Sequence, residues 1–201
     1  MQLQTEVLEK LDDSYVAEAA AHFSQMPRSY FNFRDAPTIV RHLHLLREFY
    51  RKLAEGDPAA SLLPTLEWAD HPDQGCSELT VVCWDRHMLL ARVAGALAGQ
   101  NINILSASLF RRGDDIVLDE FRVCTQNFTP VTNDRTRARV RTQVEQAFQS
   151  SEFDFSAQIA AHRPKNHELA DLESEIPQRI YLNNDISPDH TVLELQLPDR
   201  I

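Results

Sequence analysis

Between residues 76 and 148 the apolar pattern alternates between a period of two and a period near 3.6. That succession constrains the fold more than any other feature of the chain. Glu78-Leu79-Thr80-Val81-Val82-Cys83-Trp84 is rich in β-formers. Leu89, Leu90, Val93 and Leu97 then recur at helical spacing, with Ala94, Gly95 and Ala98 small enough for close approach to a sheet. Ile104–Arg111 alternates as a strand with Leu105, Ala107 and Leu109 on one side, and Gly113-Asp114 is a hairpin turn signal. Ile116–Cys124 reads as the returning strand, and Asp134 is placed to cap a second helix with a core face of Val140, Val144, Ala147 and Phe148. The order β-α-β-β-α lacks one strand of the split βαβ pattern of ferredoxin-like domains. The expected fold class is therefore α+β: a βαββαβ unit over residues 76–185, with both of its helices on one face of an antiparallel sheet.

The flanks read differently. Residues 1–69 are helical in pattern: Leu3, Val7, Leu8 and Leu11, then the Ala-rich run Val16 to Phe23, broken at Met26-Pro27. Asp35 is placed to cap a further helix with Pro37 in its first turn and a stripe of Ile39, Val40, Leu43, Leu46 and Tyr50. Ser61 to Asp70 reads as irregular, with an edge strand at Leu66–Trp68. These helices need a partner surface for their aromatic stripes. Residues 149–175 read as a linker. Gln178–Asp185 and Thr191–Leu197 are strand candidates, the first available as the missing fourth strand and the second opening something new at 186–201.

Net charge bounds the partners. Twenty Lys and Arg stand against thirty Asp and Glu, a formal −10, which argues against a general nucleic-acid backbone binder. No run approaches the ~18 apolar residues of a membrane span. The opening MQLQTEVLEKLDD is too acidic and polar for a signal peptide. Three cysteines without CxxC spacing point to a reduced, cytoplasmic setting and to no zinc knuckle. Cys83 and Cys124 read as core. His42 and His44, two apart on a helix, face different directions and make a poor metal pair. Arg135, Arg137, Arg139 and Arg141 read as a solvated helix face or as a dock for an acidic surface.

The chain also repeats itself. Leu79-Thr-Val-Val-Cys-Trp-Asp-Arg86 and Val192-Leu-Glu-Leu-Gln-Leu-Pro-Asp-Arg200 each run from a strand into Asp-Arg, and Asp85 and Asp199 lie 114 residues apart. The second copy reads as the first strand of another such unit. With these segments in view, WDRHMLLARVAGALAGQNINILSASLFRRGDDIVLDEFRV resembles an ACT domain, specifically the first of the two at the C-terminus of bifunctional PII uridylyltransferase/uridylyl-removing enzymes. MPRSYFNFRDAPTIVRHLHLL is similar to the segment that precedes that ACT pair, and IYLNNDISPDHTVLELQLPDRI to the entry into the second ACT domain. The resemblance covers roughly Phe23 to Ile201.

The resemblance implies a sensor of a small amino acid, glutamine, that sets the balance between opposed reactions on a PII-type regulator. It also implies a ligand seat at the turn after the first strand, usually completed across a dimer interface. The matching positions here are Asp85, Arg86, His87 and Met88, facing Asn103. A helix N-terminus offers free N–H groups to a carboxylate, and a nearby acceptor takes the ammonium. Asp85 either accepts from that ammonium or caps the helix; Arg86 either pairs with a carboxylate or is solvated; Asn103 either reads the ligand or shapes a turn. Met88 stands where the ligand-binding version of the turn carries Gly. The nucleotidyltransferase Gly-Ser motif and an HD-type His-Asp metal site have no counterpart in this sequence, and neither a metal nor another cofactor is expected. The expected partners are a small amino acid and a second copy or a tandem ACT domain. The alternative is a structural ACT scaffold that binds no ligand.

Overall fold

The computed structural model describes residues 2–32, 34–55, 62–162, 177–185 and 191–196. The chain divides into two units, Met1–Ile159 and Ala160–Ile201. The first holds helices α1 (Gln2–Leu8), α2 (Val16–Gln25), α3 (Arg28–Phe31) and α4 (Ala36–Ala54). It continues with β1 (Thr65–His71), β2 (Cys76–Trp84), α5 (Leu89–Ala98), β3 (Asn103–Arg111), β4 (Ile116–Cys124) and α6 (Asp134–Gln149). A short α7 (Ser156–His162) follows. In the second unit β5 (Arg179–Asn183) and β6 (Val192–Gln196) pair as an antiparallel hairpin.

The four strands of the first unit form an antiparallel sheet in the order β1-β2-β4-β3. This is the α+β class, compatible with a ferredoxin-like fold preceded by helices. The edge strand expected at Leu66–Trp68 is present and takes a place expected for another. The edge beside β2 is filled by Thr65–His71, immediately upstream, whereas Arg179–Asn183, the expected fourth strand, pairs with Val192–Gln196 in a separate two-stranded sheet. The physical reason is the turn. Pro72–Gln74 forms one 3-10 turn and Gly75 closes it at φ 65, the left-handed region that glycine enters without penalty. A side chain there would also meet the Phe128 carbonyl oxygen, 2.8 Å from an added Cβ. A hairpin this short needs little loop-closure entropy, so the nearby strand takes the edge.

Strand alternation sends β2 and β4 side chains to two faces, and both are covered. On one face Leu79, Val81, Cys83, Val117, Phe121 and Val123 pack under α5 and α6, against Val93, Leu97, Val140, Val144 and Phe148. Both helices of the βαββα segment thus lie on one side, as the pattern requires. Phe155 packs where Gly95 leaves space on α5. On the other face Val82, Ile116 and Leu118 meet Tyr30, Ile39, Leu43, Leu46 and Phe49 of the N-terminal helices. That is the partner surface the aromatic stripes need. Each large side chain so buried contributes about 1.5–3 kcal/mol. Trp68 lies under Arg137 and Trp84 against Phe49, so the two tryptophans serve different cores.

The caps of α4 and α6 follow the sequence, the second with a shift of one residue. The Asp35 carboxylate accepts from Thr38 N–H at 3.0 Å, with Pro37 in the first turn of α4. For α6 the cap is Asn133, accepting from Arg135 and Thr136, and Asp134 is the first helical residue. Cys76, Cys83 and Cys124 are all buried free thiols. Among the described residues no helix is long and apolar enough to cross a membrane.

Candidate functional site

The turn after β2 is built from Asp85 to Met88. Asp85 donates its backbone N–H to the Asp115 carbonyl at 2.8 Å, and its carboxylate lies 3.1 Å from Arg111 Nε. It does not cap α5. The residue at that cap is Met88, held at φ 58 and ψ 30 with no side-chain capping bond. A non-glycine residue in the left-handed region is uncommon, and this is the position where the resemblance implies Gly in the ligand-binding version of the turn. The Met88 side chain is 54% exposed.

Arg86 turns away from the turn toward the end of α6. Its guanidinium donates to the Phe148 carbonyl at 2.7 Å and lies 4.7 Å from the Phe148 ring centroid. Arg92, buried on α5, donates to the carbonyls of Ala147, Ser150 and Ser151 and, more weakly, to that of His87. Two cations therefore satisfy the last carbonyls of α6, where the helix dipole is negative. The basic run on α6 is split in the same spirit: Arg137 binds Asp70 and Arg141 the Leu66 carbonyl, both on β1.

Asn103 lies elsewhere. It opens β3, accepts from Gln126 Nε2 at 2.8 Å, and donates toward the Thr125 carbonyl at 3.4 Å. Arg111, at the far end of the same strand, is the residue that meets Asp85. A nine-residue strand spans roughly 26 Å between its terminal residues. Within one chain, then, the structure gathers Asp85, Arg86, His87 and Met88 at one end of the sheet and leaves Asn103 at the other.

A second polar group sits on the opposite face, where α3 and α4 meet the sheet. The Tyr30 hydroxyl and His42 Nδ1 are 2.7 Å apart, and His42 Nε2 is 3.2 Å from Glu120 Oε1. Arg34 holds Glu120 with both arms of its fork, and Arg41 bridges Glu78 and Glu67. Nearby, Arg112 binds Asp114 and approaches His22 Nδ1 at 3.3 Å. Burial, and then Arg112, push the His22 imidazole down to about 3; burial drives His42 well below its usual value and the Tyr30 hydroxyl upward. Arg34, Glu78 and Glu120 are not among the site residues the sequence points to. The available signal was the run of polar residues at alternate positions, Glu78 and Thr80 on β2 and Glu120 and Arg122 on β4. One face of each strand turns polar along its length.

The sheet, its two-sided helical cover and the polar turn define a compact α+β module. No family profile matches the chain, and no solved structure matches it. Curated homologues do. The chain is 29% identical over 174 residues to a bifunctional uridylyltransferase/uridylyl-removing enzyme of Gluconobacter oxydans, covering 86% of this chain and 17% of that protein. Proteins of the same name from Rhodospirillum rubrum and Azospirillum brasilense are 26% and 24% identical, over 83% and 98% of this chain. The chain spans 17 to 20% of the length of these relatives, a match consistent with their C-terminal region.

Proposed function

We propose that the chain is a non-catalytic regulatory segment of a uridylyltransferase-like protein, an ACT-type module that senses a small amino acid, glutamine by resemblance, in nitrogen regulation. In this reading a PII-type regulator is reached only through the parent protein, in the cytoplasm. The observation that supports it is the uncapped start of α5: no side chain caps this helix, and Asp85, whose carboxylate also meets Arg111, lies three residues before the Met88 cap as the acceptor in this reading. Asn103 joins that seat only if a second copy, or a tandem domain, pairs antiparallel along β3. The β3 edge suits such pairing, because Ile104, Leu105 and Leu109 are exposed along it.

A second reading, a ligand-free ACT scaffold, has its own support. Met88 carries a side chain where the resemblance implies Gly in the ligand-binding turn, and Arg86 is committed to α6. Calorimetry with L-glutamine separates the two. Given the obstruction at Met88 we expect a Kd of about millimolar or weaker, ~4 kcal/mol or less. Tight binding abolished by Asp85→Ala would make this turn the sensor. The absence of any heat, with dimers still seen by light scattering, would leave the scaffold.

A further inference from the structure

The group on the far face of the sheet has the makings of a metal centre. His42 on α4, Glu78 on β2 and Glu120 on β4 each present one ligand atom, all within 4.8 Å of one another. His42 is fully buried and Glu120 is 3% exposed. His42 Nε2 is the anomaly. It lies 3.2 Å from Glu120 Oε1, yet it is buried without a hydrogen-bond partner. Buried polar nitrogens are rarely left so.

The tautomers sharpen the point. Nδ1 is committed to the Tyr30 hydroxyl. If Tyr30 donates, Nε2 carries a proton that is not aligned on an acceptor. If Nδ1 donates, Nε2 aims a lone pair at a carboxylate. A cation between Nε2 and Glu120 satisfies both groups, and fixing one imidazole nitrogen by a hydrogen bond is how ligating histidines are oriented.

We propose that His42, Glu78 and Glu120 bind a divalent cation of the zinc type, with an open coordination position facing solvent. Bonds of about 2.0–2.2 Å set roughly 100° apart place their ligand atoms about 3.2 Å from each other, the separation observed between His42 and Glu120. One imidazole and two carboxylates form a donor set that suits zinc. Outer partners are in place: Tyr30 on His42, Arg34 on Glu120 and Arg41 on Glu78. Entry is through a cleft of about 600 Å³ whose lining includes Glu78, Glu120, Arg34, Ser106 and Ser108. The charge balance tolerates the ion. With Arg34, Arg41 and Glu67 the cluster carries −1 empty and +1 filled, so the guanidiniums weaken the site without forbidding it.

The test uses the whole chain stripped with chelator. Zn²⁺ is titrated by calorimetry, and Co²⁺ serves as the spectroscopic probe. We expect one Zn²⁺ per chain and visible Co²⁺ d–d bands. Glu78→Gln, at a partly exposed position and with its fold checked by circular dichroism, should weaken binding at least a hundredfold. Glu152→Gln, which removes an exposed carboxylate outside the cluster, should change it less than threefold. Absence of saturable binding overturns the proposal, and so does binding that Glu78→Gln leaves unchanged.

Discussion

Thr191 donates its hydroxyl to Asn184 Oδ1 at 2.7 Å across the β5–β6 hairpin, and 114 residues earlier Ser77 donates to Asp70 Oδ1 at 2.6 Å in the same relation. The whole register follows. Thr65 pairs with Val82 and Arg179 with Gln196, each partner displaced by the same 114 residues. The repeat visible in the sequence as a strand ending in Asp-Arg is therefore a repeat of an entire hairpin. Its surroundings differ. Leu79 is fully buried, whereas its counterpart Leu193 is 53% exposed. Leu79→Ala should cost about 2–5 kcal/mol, the range for a deleted core leucine. Leu193→Ala should change stability by less than about 0.5 kcal/mol. Urea unfolding of the two variants decides it; equal losses would mean that Leu193 is buried in solution.

Arg86 makes a separate prediction. Its hydrogen bond and ring contact at the end of α6 are structural, so Arg86→Ala should lower stability by about 1–2 kcal/mol with no ligand present. Arg86→Lys keeps the charge near the helix terminus but loses the planar fork, and should recover part of that loss. A shift in urea midpoint at constant slope is the readout. An unchanged midpoint for Arg86→Ala would free the residue for ligand contact.

Met88→Gly removes a side chain from a left-handed position at φ 58 that is already half exposed. Little packing is lost, and the strain relieved is about 1 kcal/mol. The variant should therefore unfold at higher denaturant, while Met88→Val, β-branched at the same φ, should unfold earlier. Melting the three proteins side by side tests the order.

Two buried groups give this fold opposing responses to pH. Burial raises the Asp119 carboxyl from 3.8 to about 7, with the Phe110 N–H and nearby Asp85 as smaller influences. Between those values the folded state holds a proton that the unfolded state has lost, so Asp119 costs stability as pH rises from about 4 to 7. His22 works the other way. Its imidazole is lowered from 6.5 to about 3, the unfolded chain binds more protons in that window, and stability falls as pH drops through it. Asp119→Asn should remove the first slope. At pH 8 it should be more stable than the native chain by on the order of 2–4 kcal/mol. From pH 4 to 6.5 its stability should climb steadily. A variant no more stable than the native chain at pH 8 would show that Asp119 ionises without penalty.

The strand and helix pattern of residues 76–148 was legible because each element declares its period: Leu79, Val81 and Cys83 on one strand face, Val140 and Val144 a turn apart on α6. The Asp35 cap was equally plain. What escaped was pairing between elements. Leu66–Trp68 reads as a weak edge, and only the geometry of the Gly75 turn shows why it outcompetes residues 179–183 for the place beside β2. The site was legible as a list and not as an arrangement. Asp85 and Met88 fall together, but Asn103 lies at the other end of β3. Arg86 reads as free until Phe148, sixty-two residues later, is seen beside it. Ionic contacts between distant elements, such as Arg34 with Glu120, leave no local trace at all.

The borrowed edge strand has a consequence for how the chain folds. In a split βαβ unit the fourth strand arrives last in sequence and must find the first across the whole unit. Here β1 and β2 are joined by four residues, so the edge contact is among the most local in the molecule. Its closure entropy is small, and sheets rich in such short-range pairings form faster than those closed by distant ones. On the ribosome, β1 and β2 are both synthesised before α5, β3 and β4. The hairpin is thus ready as a template when β4 emerges, and completing this sheet does not wait for anything beyond α6.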